Sequence, residues 1–293
     1  MKSLLKKSII ILLVFAFLCG CTKKENIDND KVKIVTSFYP IYVLTANVVD
    51  GAKGVELVNL TEQQTGCLHD YQITTQDMKK LEDADVFIIN GAGMEHFLDK
   101  IKANYPKLKI VDTSAGIELV ESHEGTNPHI WLSIDNAIKQ INTINNVMTE
   151  IDENNSGVYS SNTAAFVNEL TGLKSTMISE MSNIESRNII TFHEAFPYFA
   201  KDLGLNIVAT IENGEHTTHS PKELSEIIAT VKENNVKAIF SEPQYSDKMA
   251  QTISGETGVK IYKLDSIVTG EFNKDAYINA MKSNLEVLKE ALE

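Results

Sequence analysis

The sequence predicts an α/β protein of two lobes, each a mostly parallel β-sheet flanked by helices, with a long helix joining them. Three observations carry this expectation. Short β-branched runs alternate with amphipathic stretches from residue 32 onward, the pattern of consecutive βα units. The same rhythm recurs in the second half of the chain. Between the halves lie two proline-free stretches with apolar residues at helical spacing. The chain has 293 residues. Single cores stop growing at about 250–300 residues, so two lobes are the natural division.

In the first half, strands are expected near residues 32–37, 55–60, 85–90 and 108–112, with helices near 40–49, 75–83 and 94–103. In the second half, strands are expected near 188–192, 205–211, 236–241 and 259–264. The clearest helix start is Ser220-Pro221-Lys222-Glu223. It supplies a capping serine, a proline whose missing N–H costs nothing at the first helical position, and a glutamate placed to close a capping box. Stretches 130–151 and 160–185 read as two long helices, the second marked by Phe166, Leu170, Leu173, Met177 and Met181. A helix of about 25 residues is roughly 37 Å long, enough to run down the side of two lobes. Their periodicity is also compatible with two helices covering one continuous sheet.

The chain begins with an address. Lys2, Lys6 and Lys7 precede an apolar stretch over 9–19, of signal-peptide length and short of the roughly 20 residues that span a bilayer. Its end, Leu18-Cys19-Gly20-Cys21, resembles the lipobox of bacterial lipoproteins, in which the final cysteine is acylated and becomes the mature N-terminus. That resemblance implies a signal peptide over 1–20, lipidation of Cys21, and an extracytoplasmic protein anchored by lipid to the bacterial cell membrane. Residues 21–31 read as a lipidated, flexible tether too polar to fold. The remainder divides into an N-terminal lobe over 32–153, a linking helix over 154–187 and a C-terminal lobe over 188–293. With Cys19 removed and Cys21 acylated, Cys67 has no partner for an internal disulfide.

Composition narrows the ligand class. With 43% hydrophobic and 23% charged residues the chain is globular, neither disordered nor collagen-like. Forty acidic residues against 27 basic ones give −13, and loss of the signal peptide removes three further positive charges. No basic run follows it, which excludes a nucleic-acid partner; an acidic surface suits cations. Arg187 is the single arginine, so bidentate recognition of a phosphate or carboxylate ligand has almost no residue to use.

Open α/β sheets bind ligands beyond the carboxyl ends of their strands. The residues expected there are metal-like. Gly66-Cys67-Leu68-His69-Asp70-Tyr71 follows the second strand, and Asn127-Pro128-His129-Ile130-Trp131 precedes the first long helix. His193 and Glu194 follow the strand from 188, Glu242 the strand from 236, and Asp265 the strand from 259. Three imidazoles and one carboxylate fill a four-coordinate zinc site. A lone histidine is more often a core or surface residue; three of seven at such margins shift the balance. Cys67 and Glu242 are alternative ligands. Trp131 and Tyr71 read as walls of the site, and His96, in the helix near 94–103, as a packing or surface residue.

Six segments then fall in a familiar order: HDYQIT from His69, NPHIWLS from Asn127, TFHEAFPYFAKDLGL from Thr191, SPKELSEII from Ser220, FSEPQYS from Phe240 and YKLDSI from Tyr262. Together they resemble the zinc/manganese-type substrate-binding lipoproteins of bacterial ABC importers, cluster A-I, across nearly all of residues 32–293. The resemblance implies two α/β lobes joined by a rigid backbone helix, with metal in the cleft between them. It implies His69 and His129 as ligands from the N-terminal lobe, and His193 and Asp265 from the C-terminal lobe. In this family a histidine at the place of His193 accompanies zinc and a glutamate accompanies manganese, in line with the preference of imidazole for zinc. The implied cargo is therefore Zn2+, with Mn2+ or iron as the alternative. The implied partners are the metal ion, an ABC transporter permease and the membrane, for a monomeric receptor that is no enzyme.

The departures fall beside the ligands. Gln72-Ile73 replace the usual Glu-Pro, and Asn127 and Ser133 stand where aspartates are common, so they bear on the hydrogen bonds that orient the imidazoles. Glu215, His216 and His219 crowd one stretch before the Ser220 helix, either as an auxiliary metal-capture site or as a solvated loop. A rival from another class is a secreted zinc hydrolase with Glu194 as its base; Asp265 in the fourth position would leave it no activated water. A lipid-anchored adhesin is compatible with transport.

Overall fold

Two four-stranded, all-parallel sheets account for the predicted strands. In the computed structural model, which describes residues 31–61, 71–122, 125–212 and 220–293, the first sheet holds β1 (Val32–Thr36), β2 (Val55–Asn59), β3 (Val86–Ile89) and β4 (Lys109–Asp112). Its order is β2-β1-β3-β4. A small antiparallel pair follows, β5 (Glu121–Ser122) and β6 (Gly125–Thr126). The second sheet holds β7 (Asn188–His193), β8 (Asn206–Glu212), β9 (Ala238–Ser241) and β10 (Lys260–Lys263), in the order β10-β9-β7-β8. Both sheets are wound alike: the first strand of each lies inside, with the second strand on one side and the third on the other. Winding reverses between β1 and β3 and between β7 and β9, and such switch points open ligand crevices at the carboxyl ends of the strands. All four residues of β3 and of β9 are buried, which is why these strands read as continuous runs rather than alternating ones.

The helices are α1 (Tyr39–Val49), α2 (Thr75–Lys80), α3 (Leu98–Asn104), α4 (Ile134–Ile151), α5 (Ser156–Met181), α6 (Pro197–Leu203), α7 (Pro221–Glu233), α8 (Lys248–Thr257) and α9 (Ala276–Leu292). The long helix α5 has 26 residues and buries Tyr159, Thr163, Phe166, Leu170, Leu173, Met177 and Met181, the stripe that the sequence marked. Three helices have boundaries four residues from expectation. The helix expected from 130 starts at Ile134, because Ile130–Leu132 form a 3₁₀ turn and Ser133 caps α4, its hydroxyl accepting the Asn136 N–H at 3.2 Å. The helix expected over 160–185 runs Ser156–Met181. The helix expected from 94 starts at Leu98: Gly91, Ala92 and Gly93 have positive φ (79°, 53° and 84°), and residues 94–97 follow as tight turns, with the Met94 N–H on the Gly91 carbonyl and the Leu98 N–H on the Glu95 carbonyl. His96 therefore lies in the turn before α3, not within a helix.

One apolar cluster runs through both sheets' inner faces and includes Ile34, Leu44, Trp131, Leu170, Leu264 and Tyr277. The lobes therefore share a core. A second cluster, with Ile190, Ile211, Val231 and Ile253, serves the second sheet alone. No described helix is long and apolar enough to cross a membrane.

The capping box at α7 forms as its sequence requires: the Ser220 hydroxyl accepts the Glu223 N–H at 3.3 Å and the Glu223 carboxylate accepts the Ser220 N–H at 2.7 Å. Ser220→Ala removes half of it. The expected cost is about 1 kcal/mol of stability, read as a lower urea midpoint at unchanged slope; an unchanged midpoint would show that the cap contributes nothing.

Candidate metal centre

On the N-terminal side the site is built around His129. Asn90, the first residue past β3, donates from its side-chain amide to the Pro128 carbonyl at 2.9 Å and accepts from Gln140 at 3.1 Å. That amide holds the turn carrying His129. Asn127 Oδ1 accepts the His129 backbone N–H at 3.0 Å and lies 3.1 Å from Nδ1 of the same residue. An amide oxygen offers only lone pairs, so Nδ1 is assigned the proton and Nε2 the lone pair that a metal needs. Asn127 also donates across the lobes to the Glu194 carbonyl at 2.7 Å. Trp131 is fully buried; its indole N–H donates to the Ser266 carbonyl at 2.9 Å, and its own carbonyl accepts the Tyr277 hydroxyl at 2.7 Å.

On the C-terminal side His193 ends β7 and Glu242 follows β9, so the two face each other at the switch point. His193 Nδ1 and Glu242 Oε1 are 2.9 Å apart. Across the cleft the His129 and His193 rings meet edge to face, with centroids 4.9 Å apart and planes at 77°. Asp265 lies two residues past β10, where Asn284 brackets it: the Asn284 amide accepts the Asp265 N–H and donates to its carbonyl, both at 2.8 Å. Asp265 Oδ1 accepts the Ile267 N–H at 2.7 Å. Ile267 has φ of 58°, a left-handed conformation that a β-branched residue adopts only under constraint, at a cost of about 1–3 kcal/mol. Burial pushes the Asp265 carboxyl above its ordinary range; the Ile267 N–H pulls it back, and the charge of Glu242 adds to the rise. Tyr39 stands nearby, its phenol pushed up to about 12 by burial and by the charges of Asp265 and Glu271.

The structure thus brings His129 and His193 together, with Asp265 close enough to Glu242 and Tyr39 to feel and exert charge. His69, Cys67, Glu215, His216, His219 and Cys21 lie outside the described residues. Among the described residues no group of three or more His, Cys, Asp and Glu side chains is arranged to hold a metal ion. Glu242, read from sequence as an alternative ligand, is the partner of a ligand candidate. The adjacency of β7 and β9, invisible in a linear reading, is the signal that finds it. Tyr71 donates to Asp77 at 2.6 Å, which anchors the chain as it enters α2. Ser133 donates to Asp202 at 2.8 Å across the lobes, so its departure from aspartate is met by a carboxylate from α6.

Two α/β lobes fused through a shared core, with imidazoles meeting at the carboxyl ends of both sheets, define a solute-binding receptor of the kind that feeds a membrane importer. The chain belongs to the family described as zinc-uptake complex component A, periplasmic, or ZnuA, which it matches over residues 34–291. Members are receptors of ABC importers, so the protein is a metal-binding receptor and not an enzyme, and the hydrolase reading falls. It is 27% identical over 296 residues to the manganese-binding lipoprotein MntA of Halalkalibacterium halodurans, covering 97% of each chain. It is 29% identical over 309 residues to the high-affinity zinc uptake system protein ZnuA of Bacillus subtilis, covering 97% of this chain and 96% of that one. A mutant structure of the laminin-binding adhesin Lmb of Streptococcus agalactiae superposes with a TM-score of 0.81 at 27% identity, over 89% of this chain and all of that one.

Behind His129 sits a buried carboxylate. Glu95 accepts the N–H groups of Asn90 at 2.8 Å and Gly91 at 3.0 Å, and so holds the loop that supports Pro128. Burial pushes its carboxyl up to about 7; the two N–H groups pull it down and the charge of Asp112 pushes it up. The folded state therefore binds this proton more tightly than the unfolded chain. The stability tied to Glu95 is present below the ordinary glutamate range and is lost as pH rises through about 7. Carbon-detected NMR of the metal-free protein should show Glu95 titrating near neutrality. A midpoint in the ordinary glutamate range would show that its burial is not felt.

Proposed function

We propose that the protein is a high-affinity, extracytoplasmic Zn2+ receptor that captures the ion between its lobes and delivers it to an ABC import permease. His69, His129, His193 and Asp265 hold the ion in this reading. The observation that carries it is the edge-to-face meeting of His129 and His193 from opposite lobes, each with Nδ1 held by a protein oxygen. With Nδ1 of each ring held by an oxygen, Nε2 of each is left as the lone-pair nitrogen, and imidazole suits zinc better than harder ions. Asp265 adds the negative charge that a dication needs. Relatives named for zinc and for manganese make Mn2+ the competing cargo.

The same reading takes residues 1–20 as a signal peptide, Cys21 as the lipid anchor, 21–31 as a tether, 32–153 and 188–293 as the lobes and 154–187 as their link, in a monomer. Glu215, His216 and His219 are the candidates for an auxiliary capture site in this reading, a solvated loop being the alternative. All three ligand imidazoles must be neutral to coordinate, so uptake of the ion releases any protons they hold and weakens as pH falls through the histidine range.

Competitive titration of the purified protein with zinc and manganese tests the proposal. One tight zinc equivalent is expected, with weaker manganese binding. His193→Ala should weaken zinc by roughly 100-fold or more, above the ~10–100-fold typical of a residue that only orients a ligand. Equal binding by parent and variant would remove His193 from the site. Tighter manganese than zinc would reassign the cargo.

A further inference from the structure

We propose that Glu242, buried behind His193, fixes that imidazole's tautomer and sets the strength with which the site holds zinc. The inference rests on the receptor reading above and extends it to a residue that does not touch the ion.

Register alone brings the pair together. Ile190 pairs with Ile239 and Thr191 with Phe240 across parallel strands, so the next inward-facing positions along the two strands are His193 and Glu242. Neighbouring strands lie about 4.8 Å apart, within reach of one carboxylate-to-imidazole hydrogen bond, and the observed separation is 2.9 Å. Glu242 is fully buried, and among the described residues its one ion-pair partner is His193. Its other oxygen, Oε2, receives the Gln244 amide at 3.4 Å; the same amide donates to the Ser266 hydroxyl at 2.6 Å, beside Asp265. The carboxylate is therefore pinned in place and cannot swing into the cleft without giving up both contacts.

A carboxylate has no proton to offer, so Nδ1 must be the donor and Nε2 the lone pair. A negative partner also makes the imidazole a stronger donor, which is how carboxylates behind metal-bound histidines act. The two cleft histidines differ in this respect: Asn127 behind His129 is neutral, whereas Glu242 behind His193 is an acid. A buried carboxylate compensated, among the described residues, by an imidazole and one long amide contact is costly. A dication bound to that imidazole lowers the cost, so part of the affinity for a cation is stored in Glu242.

Glu242→Gln keeps an acceptor oxygen and the volume but removes the acid; Glu242→Ala removes both. Zinc competition on the full-length protein in detergent should show binding weakened about tenfold for Gln and up to about a hundredfold for Ala, at unchanged stoichiometry. Long-range nitrogen–proton NMR of the metal-free protein should show His193 as the Nδ1–H tautomer in the parent and as a mixture in Glu242→Ala, a change that loss of packing alone does not produce. Should the Ala variant fail to fold, the Gln variant decides. Parent-like zinc affinity in Glu242→Gln, or an unchanged tautomer in a folded Glu242→Ala, would overturn the proposal. His193→Ala is run beside them. If it binds zinc like the parent, the site assignment itself fails; if it loses zinc while both Glu242 variants bind normally, only the role of Glu242 fails.

Discussion

The hydrogen bond from the Trp131 indole to the Ser266 carbonyl is the contact on which the geometry of the cleft depends. Trp131 stands two residues after His129, and Ser266 one residue after Asp265. One buried bond therefore fixes the distance between a ligand candidate of one lobe and a ligand candidate of the other. It is not isolated. The Tyr277 hydroxyl, at the start of α9, donates to the Trp131 carbonyl, and Phe38 packs edge-on against the indole with centroids 5.1 Å apart. Opening the cleft by rotating the lobes would break these bonds in an apolar setting, where each unsatisfied group costs about 1–3 kcal/mol. The segment after Asp265 adds to the lock: the Tyr39 hydroxyl donates to the Glu271 carbonyl at 2.8 Å and Asn47 donates to the Lys274 carbonyl at 2.7 Å. Gly270 lies against Tyr39 with φ of 158°, and a Cβ there would run into the Tyr39 hydroxyl.

From that lock the two lobes solve the same problem twice. Each sheet reverses its winding beside its innermost strand, and each uses the residue just past the third strand of the lobe to hold a histidine. In the first lobe that residue is Asn90, which acts at one remove through the Pro128 carbonyl. In the second it is Glu242, which acts directly on the imidazole. Common topology explains why both histidines arrive at one cleft. Different chemistry at equivalent positions leaves one imidazole beside a neutral amide and the other beside a carboxylate.

The strands were legible in the sequence because parallel strands covered on both faces are short apolar runs, and β3 and β9 are such runs. The start of α7 was legible because its capping box is local, complete within four residues. The turn before α3 was not, since Ala92 carries a positive φ that no composition rule assigns to alanine; it is held there by Glu95 and by Gly91 packing against Asp112. Of the site, His129 and His193 could be placed at element ends and proved to be in contact. The role of Glu242 could not be read, because it depends on β9 lying next to β7 rather than β8. Strand order is set by nonlocal pairing and by crossover handedness, not by any run of residues.

The charge of the interior completes the picture. A fold that buries Glu242 fully and Asp265 largely, within a chain already rich in acid, holds negative charge where desolvation makes it expensive. Burial and the field of Glu242 both raise Asp265, so this carboxyl holds a proton more tightly than an exposed one. An anion entering the cleft would meet this charge unrelieved, and a monovalent cation would relieve it only in part. The charge buried beside the two histidines thus favours a dication over an anion on electrostatic grounds alone.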